Sequence, residues 1–130
     1  LNDSDSAIKS KTTKQTVPNV MGQSIKQASD DLTKAGFRVA VVGSNGKVTE
    51  QSLLPQQKSL TNQLVILTAK GNTHLPDMTG WSLTDAQAFA HAAGFDLTWS
   101  GSGYVTRQLT PKDQLVVGNS KVAIELKEKQ

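Results

Sequence analysis

The chain has 130 residues, room for one ordinary domain or two small ones. Apolar residues make up 36% and aromatics 5%, too lean for one large core, and the absence of cysteine excludes disulfide scaffolds, thiol nucleophiles and thiolate metal sites. A net charge of +3 is too small to argue for nucleic acid, and there is no apolar run of about 18 residues to insert in a membrane.

No signal peptide opens the sequence, and it starts at Leu1 rather than Met, as expected of a piece of a longer protein. Residues 1–16, LNDSDSAIKSKTTKQT, hold only Leu1, Ala7 and Ile8 as apolar side chains. Such a segment cannot bury enough surface to offset the entropy of ordering, so it reads as a flexible linker. An internal repeat follows. Val17-Pro18-Asn19-Val20-Met21-Gly22 aligns with Leu75-Pro76-Asp77-Met78-Thr79-Gly80, and Ser24 aligns with Ser82. Gly36-Phe37 matches Gly94-Phe95, and Gly43-Ser44 matches Gly101-Ser102. One residue is then lost: Val48-Thr49-Glu50-Gln51 matches Val105-Thr106-Arg107-Gln108, and Val65-Ile66-Leu67 matches Val122-Ala123-Ile124. The expected units are residues 17–72 and 73–130.

Each unit has its own grammar. Ser24 with Gln27, and Ser82 with Asp85, read as helix caps. Ile25, Ala28, Leu32 and Ala35 form one apolar stripe, and Leu83, Ala86, Ala90 and Ala93 form its counterpart. Gly36 and Gly94 supply the left-handed residue that ends each helix. Strands are expected at Arg38–Val42, Val48–Ser52 and Leu64–Ala69, then at Asp96–Ser100, Tyr104–Leu109 and Lys121–Leu126. The fold class is therefore α+β: two tandem units, each one helix followed by a three-stranded sheet.

The Val-Pro-Asn-Val-Met-Gly and Leu-Pro-Asp-Met-Thr-Gly openings, the helix closed by Ala-Gly-Phe and the Val-x-x-Gln strand resemble the PASTA domain over residues 17–130. That resemblance implies an extracytoplasmic module of Gram-positive bacteria, found on penicillin-binding proteins and serine/threonine kinases. Two units ending in the short charged tail Lys127-Glu128-Lys129-Gln130 are similar to the C-terminus of a division-type transpeptidase, held at the cell membrane by an N-terminal helix outside this sequence. The implied role is non-catalytic, in septal peptidoglycan synthesis: recognition of peptidoglycan, muropeptides or β-lactams, or positioning of the enzyme. Implied partners are the transpeptidase domain of the same chain and division proteins. A spacer or docking element, and the sensor ectodomain of a kinase, are the alternatives.

Nothing in the sequence resembles an active site. Ser6-Ala7-Ile8-Lys9 and Ser44-Asn45-Gly46-Lys47 match the Ser-x-x-Lys pattern of transpeptidases, but 12 Ser and 12 Lys in 130 residues make such matches expected by chance. His74 falls in the inter-unit hinge and His91 on a helix, neither with a second ligand near in sequence, so no metal or cofactor is expected. Asp30 and Asp31 point about 100° apart on their helix and do not converge. Gly101-Ser102-Gly103 precedes a strand, not a helix, so it is no phosphate loop.

The two units differ instructively. Asp30, Asp31 and Lys34 become Ala88, Phe89 and Ala92, Gln23 becomes Trp81, and Val41 becomes Trp99. A second apolar face on a helix marks a contact. Trp81, Phe89, Tyr104 and Arg107 are thus the candidate ligand or partner residues, the other reading of Trp81 being a staple onto Ala86. Charge also divides: Lys26, Lys34, Arg38, Lys47, Lys58 and Lys70 face only Asp30, Asp31 and Glu50 in the first unit, which makes it the better match for an anionic wall polymer.

Overall fold

Residues 13–128 are described by a computed structural model. Most of the expected linker, the Ser6–Lys9 pattern within it, and Lys129-Gln130 lie outside the described residues. The architecture is α+β, with two helices and ten strands among the described residues. Contacts divide it into two compact units, one of the residues up to Ala40 with Asn45–Ala69, the other of Val41–Ser44 with the residues from Lys70 onward.

The first repeat runs β1 (Lys14–Thr16), α1 (Ile25–Lys34), β2 (Arg38–Val42), β3 (Asn45–Gln51), β4 (Lys58–Leu60) and β5 (Leu64–Lys70). The second runs β6 (Thr73–His74), α2 (Leu83–Ala93), β7 (Asp96–Ser100), β8 (Tyr104–Gln108), β9 (Leu115–Val116) and β10 (Lys121–Lys127). Each has a three-stranded sheet with its last strand in the middle, in the orders β2-β5-β3 and β7-β10-β8. In the second, β10 runs parallel to β7 and antiparallel to β8. The central strand is paired on both edges, which is why it carries the apolar runs Val65-Ile66-Leu67 and Val122-Ala123-Ile124.

The helices form where the caps and stripes place them. Ser24 Oγ accepts the Gln27 N–H at 3.2 Å, and Ser82 Oγ accepts the Asp85 N–H at 3.1 Å. Helix α1 buries Ala28 and Leu32 and packs on β3, and α2 buries Ala86, Phe89 and Ala90 and packs on β7. At the end of α1 the Gly36 N–H donates to Thr33 O at 3.0 Å and the Phe37 N–H to Leu32 O at 3.0 Å. This double closure needs a positive φ at Gly36, which is +97°. Asp31, expected in solvent, is half-buried and accepts a hydrogen bond from Gln27 Nε2 at 2.8 Å.

Two short ladders extend the expected plan. β1 pairs antiparallel with β4, Lys14 opposite Leu60 and Thr16 opposite Lys58. β6 pairs with β9, Thr73 opposite Val116 and His74 opposite Leu115. Lys14–Thr16 are therefore strand rather than linker, and His74 lies in a strand rather than a hinge. Both ladders follow from the same cause: the buried leader side chains, Val17 in one repeat and Leu75 in the other, bring the chain past the loop before the last strand, where backbone groups can pair.

A glutamine at the end of the third strand of each repeat, β3 and β8, holds that leader down. Gln51 Oε1 accepts the Val20 N–H at 2.9 Å, while its Nε2 donates to Pro18 O at 3.0 Å and Leu53 O at 2.9 Å. Gln108 does the same, accepting the Met78 N–H at 2.5 Å and donating to Pro76 O and Thr110 O, both at 3.3 Å. An amide is the side chain that fits, since only it offers an acceptor and two donors from one planar head.

Candidate functional site

The four residues singled out from sequence fall into two groups. Phe89 is fully buried and Trp81 is 8% exposed. The Trp81 ring meets Phe89 edge-on, centroids 6.0 Å apart at 82°, and Phe89 in turn tilts against Phe95 at 5.9 Å. Phe89 is therefore core, not part of an outward face; Ala88 and Ala92 alone of that expected face are exposed. The repeat gives the physical reason. Leu32, the large buried side chain of α1, aligns with the small Ala90, and its half-buried neighbour Asp31 aligns with Phe89. The bulk that fills the core has moved one position along the helix, and a tilted aromatic cluster fills the space that the aliphatic residue vacated.

Tyr104 and Arg107 lie on β8 and are exposed. Residues three apart in a regular strand face opposite ways. Here the register shifts between Glu125 and Leu126, so that Arg107 opposes Glu125, Val105 opposes Leu126 and Tyr104 opposes Lys127. The shift is a bulge at Thr106, and it turns Tyr104 and Arg107 to the same face as Glu125, the face away from buried Ile124 and Leu126. The Arg107 guanidinium is paired with the Glu125 carboxylate at 3.0 Å, side chains 64% and 38% exposed. That pairing engages the one arginine among the four candidate residues. Sequence spacing alone could not have revealed the shared face, because the bulge breaks the two-residue period.

A shallow depression of about 210 Å³ lies at the β7 side of the same sheet, lined by Thr98, Trp99, Ser100, Leu109, Ala123 and Ile124. Trp99 is 44% exposed and Leu109 52%. The sequence comparison noted Trp99 as a replacement for Val41 but did not connect it with these neighbours, which come from three separate segments.

Among the described residues, groups able to do acid–base or metal chemistry do not converge. His74 and His91 are exposed on different elements. Asp30 is paired with Lys26 at 3.2 Å. No cluster of three metal-ligating side chains is found among the described residues. Among the described residues, the carboxyl of Asp77 is held below its ordinary range. The Thr79 backbone N–H, at 3.1 Å from Oδ1, is the main cause, with the Thr79 hydroxyl and the charge of Lys112 adding to it. Its role is local: with Gly80 at φ +88° it turns the leader into α2, as Asn19 and Gly22 do ahead of α1. No helix among the described residues is long and apolar enough to cross a membrane.

Comparison with known proteins gives a consistent frame. The PASTA domain family profile matches residues 15–70 and again 73–128. No match is found among curated proteins. Among solved structures, penicillin-binding protein 2X from Streptococcus thermophilus is similar over 88% of this chain, with 23% identity and a TM-score of 0.71; the chain spans 17% of that protein's length. A three-PASTA-domain structure of a Ser/Thr kinase from Staphylococcus aureus is similar over 89% of this chain and 66% of its own, with 17% identity and a TM-score of 0.39. The entire extracellular region of the Ser/Thr kinase PrkC from the same organism is similar over 90% and 48%, with 20% identity and a TM-score of 0.37.

Proposed function

From the premise that this chain belongs to the PASTA family, as two tandem and non-catalytic PASTA domains, we propose that it is an accessory module of a penicillin-binding transpeptidase of septal peptidoglycan synthesis, acting on the outer side of the cell membrane. The supporting observation is the pair itself, whose fold matches that of a penicillin-binding protein at a TM-score of 0.71. In this role the module recognises peptidoglycan or muropeptides and brings the transpeptidase domain of the same chain to its substrate. The burial of Trp81 and Phe89 favours a second reading, a spacer or docking element for division proteins, because it removes half of the side chains first assigned to a ligand.

Two measurements test this. The coding sequence ahead of Leu1 should encode a membrane helix followed by a transpeptidase domain; a kinase domain before the helix would replace the proposal with the sensor reading. The 130-residue chain should be retained on purified, protein-free peptidoglycan sacculi and released by soluble muropeptide. Failure of retention, with capture of a division protein instead, would establish docking in place of recognition.

A further inference from the structure

The second repeat leaves one rim of its sheet open. In the order β7-β10-β8 the outer strands are β7 and β8. The rim of β8 is taken by the leader, the Gly80 N–H donating to Val105 O at 2.8 Å and the Val105 N–H to Trp81 O at 2.9 Å. The rim of β7 has no paired strand among the described residues. Alternate residues of a strand turn their N–H and C=O to the same side. The Asp96 N–H donates to Ser120 O at 2.8 Å, so Asp96, Thr98 and Ser100 face β10, and Leu97 and Trp99 turn their backbone groups outward. Open rims are ordinarily blunted by lysine, proline or a bulge, and Asp-Leu-Thr-Trp-Ser has none of them. Helix α2 covers only part of the strand. It starts at the β8 rim, where Ser82 bridges to Tyr104, and ends at Ala93 just ahead of Asp96. It therefore crosses the sheet obliquely and leaves the Ser100 end of β7 bare, where Trp99 is 44% exposed; Val41, its counterpart in the first repeat, is half-buried.

This strand is complementary to itself. Antiparallel pairing with the β7 of a second copy, about a twofold axis through Thr98, sets Leu97 opposite Trp99 and Asp96 opposite Ser100 in both directions. Only that register pairs every residue of the strand. Leu97 and Trp99 are the residues whose backbone groups point outward, so each Leu97–Trp99 pair exchanges both N–H···O bonds. On the helix side each exposed indole meets Leu97 of the other copy, and the indoles approach along the diagonal, within reach of aromatic rings. On the opposite side Thr98 meets Thr98, a favourable pair, and Asp96 meets a serine, so no like charges are opposed.

We propose that β7 is a self-association rim, through which two copies of this chain join their second-repeat sheets into one continuous sheet about a twofold axis at Thr98. A rim-to-rim contact of this kind falls in the class of small interfaces, under about 1,200 Å², whose complexes are transient, so the association is weak and depends on concentration. It stands independently of the wall-recognition reading and uses none of the four residues first singled out.

The test uses the whole 130-residue chain. Sedimentation velocity over a concentration series should show the mean mass rising toward twice that of one chain, and the Leu97 and Trp99 amide resonances should shift over the same range. Thr98 is exposed and is its own partner on the axis, so Thr98→Lys sets like charges face to face and should weaken association about fivefold, as should Thr98→Asp. An equimolar mixture of those two variants should associate as the unaltered chain does, a rescue that requires residue 98 to oppose itself. The chain has no cysteine, and a pair that exchanges no hydrogen bonds holds its Cα atoms about 4.5 Å apart, so Thr98→Cys should form a disulfide-linked dimer under mild oxidation. Unshifted Phe89 and Phe95 resonances in every variant show that the core stays folded. A chain of one-copy mass at every concentration, or association that Thr98→Lys leaves unchanged, overturns the inference. Association without rescue or cross-link removes the axis at Thr98 and overturns it as well. Leu97 and Trp99 shifts that appear only when a sacculus digest is added, the mass staying that of one chain, overturn it in favour of a wall-derived occupant.

Discussion

Replacing Gln108 by alanine removes three hydrogen bonds at once, those to the Met78 N–H, Pro76 O and Thr110 O. A neutral hydrogen bond contributes about 0.5–1.5 kcal/mol net, and a buried group left unpaired costs about 1–3 kcal/mol. Met78 is fully buried, so its N–H would be the group left unpaired, while the two carbonyls sit at long distances and beside solvent-accessible residues. The expected loss is therefore about 1.5–3 kcal/mol, mostly from the Met78 contact. Both tryptophans, Trp81 and Trp99, lie in the second repeat, so intrinsic fluorescence in urea reads that repeat alone. The midpoint should fall with no change in slope. Hydrogen exchange at Met78 should accelerate by more than at Val122, which sits in the central strand. Gln108→Glu should do no better than alanine, since a carboxylate keeps the acceptor but turns oxygen toward two carbonyls. A midpoint within about 0.5 kcal/mol of the unaltered chain would refute the view that this side chain pins the leader.

Leu32→Ala should cost about 2–5 kcal/mol, measured by far-ultraviolet circular dichroism in urea, whereas Asp31→Ala, which loses one half-exposed hydrogen bond to Gln27, should cost under about 1 kcal/mol. Because the folded carboxyl of Asp77 is held below its ordinary 3.8, its stabilisation is complete above that pH and is lost as pH falls through the folded value. Asp77→Asn keeps the acceptor and should flatten the acid limb of the midpoint-against-pH curve below about pH 4, as Asn19 already does in the first repeat. Gly103→Ala should destabilise the second repeat by more than about 2 kcal/mol: φ is +105°, and an added Cβ would overlap the Lys127 carbonyl. Gln23→Leu removes a buried Oε1 that has no hydrogen-bond partner and should leave stability unchanged or raised, read by thermal unfolding.

The parts of this fold that were legible in sequence are those set by local pattern. β2 and β7 occupy the expected residues, and the caps at Ser24 and Ser82 form as the spacing demands. The short ladders β1–β4 and β6–β9 were not legible, because strands of two or three residues show no alternation and are paired only through tertiary closure. Phe89 was misplaced for a related reason. A stripe of Leu83, Ala86, Ala90 and Ala93 has the right period, but three of its four side chains are single methyl groups, too little volume to fill the space over a sheet, and that shortage is the signal that a large side chain alongside it must turn in. Tyr104 and Arg107 were rightly placed at the surface, yet their common face depends on the Thr106 bulge, and the strand's residue types carry no mark of it.

The pairing of Lys14–Thr16 with Lys58–Leu60 bears on how the molecule is best cut. Trimming at Val17, where the resemblance between halves first becomes visible, would strip β4 of its neighbour and leave a bare ladder beside half-exposed Leu60. Unguarded rims of that kind recruit strands from other molecules. The three polar residues ahead of the visible repeat thus cover one rim of β4, although their composition alone suggests only a tether.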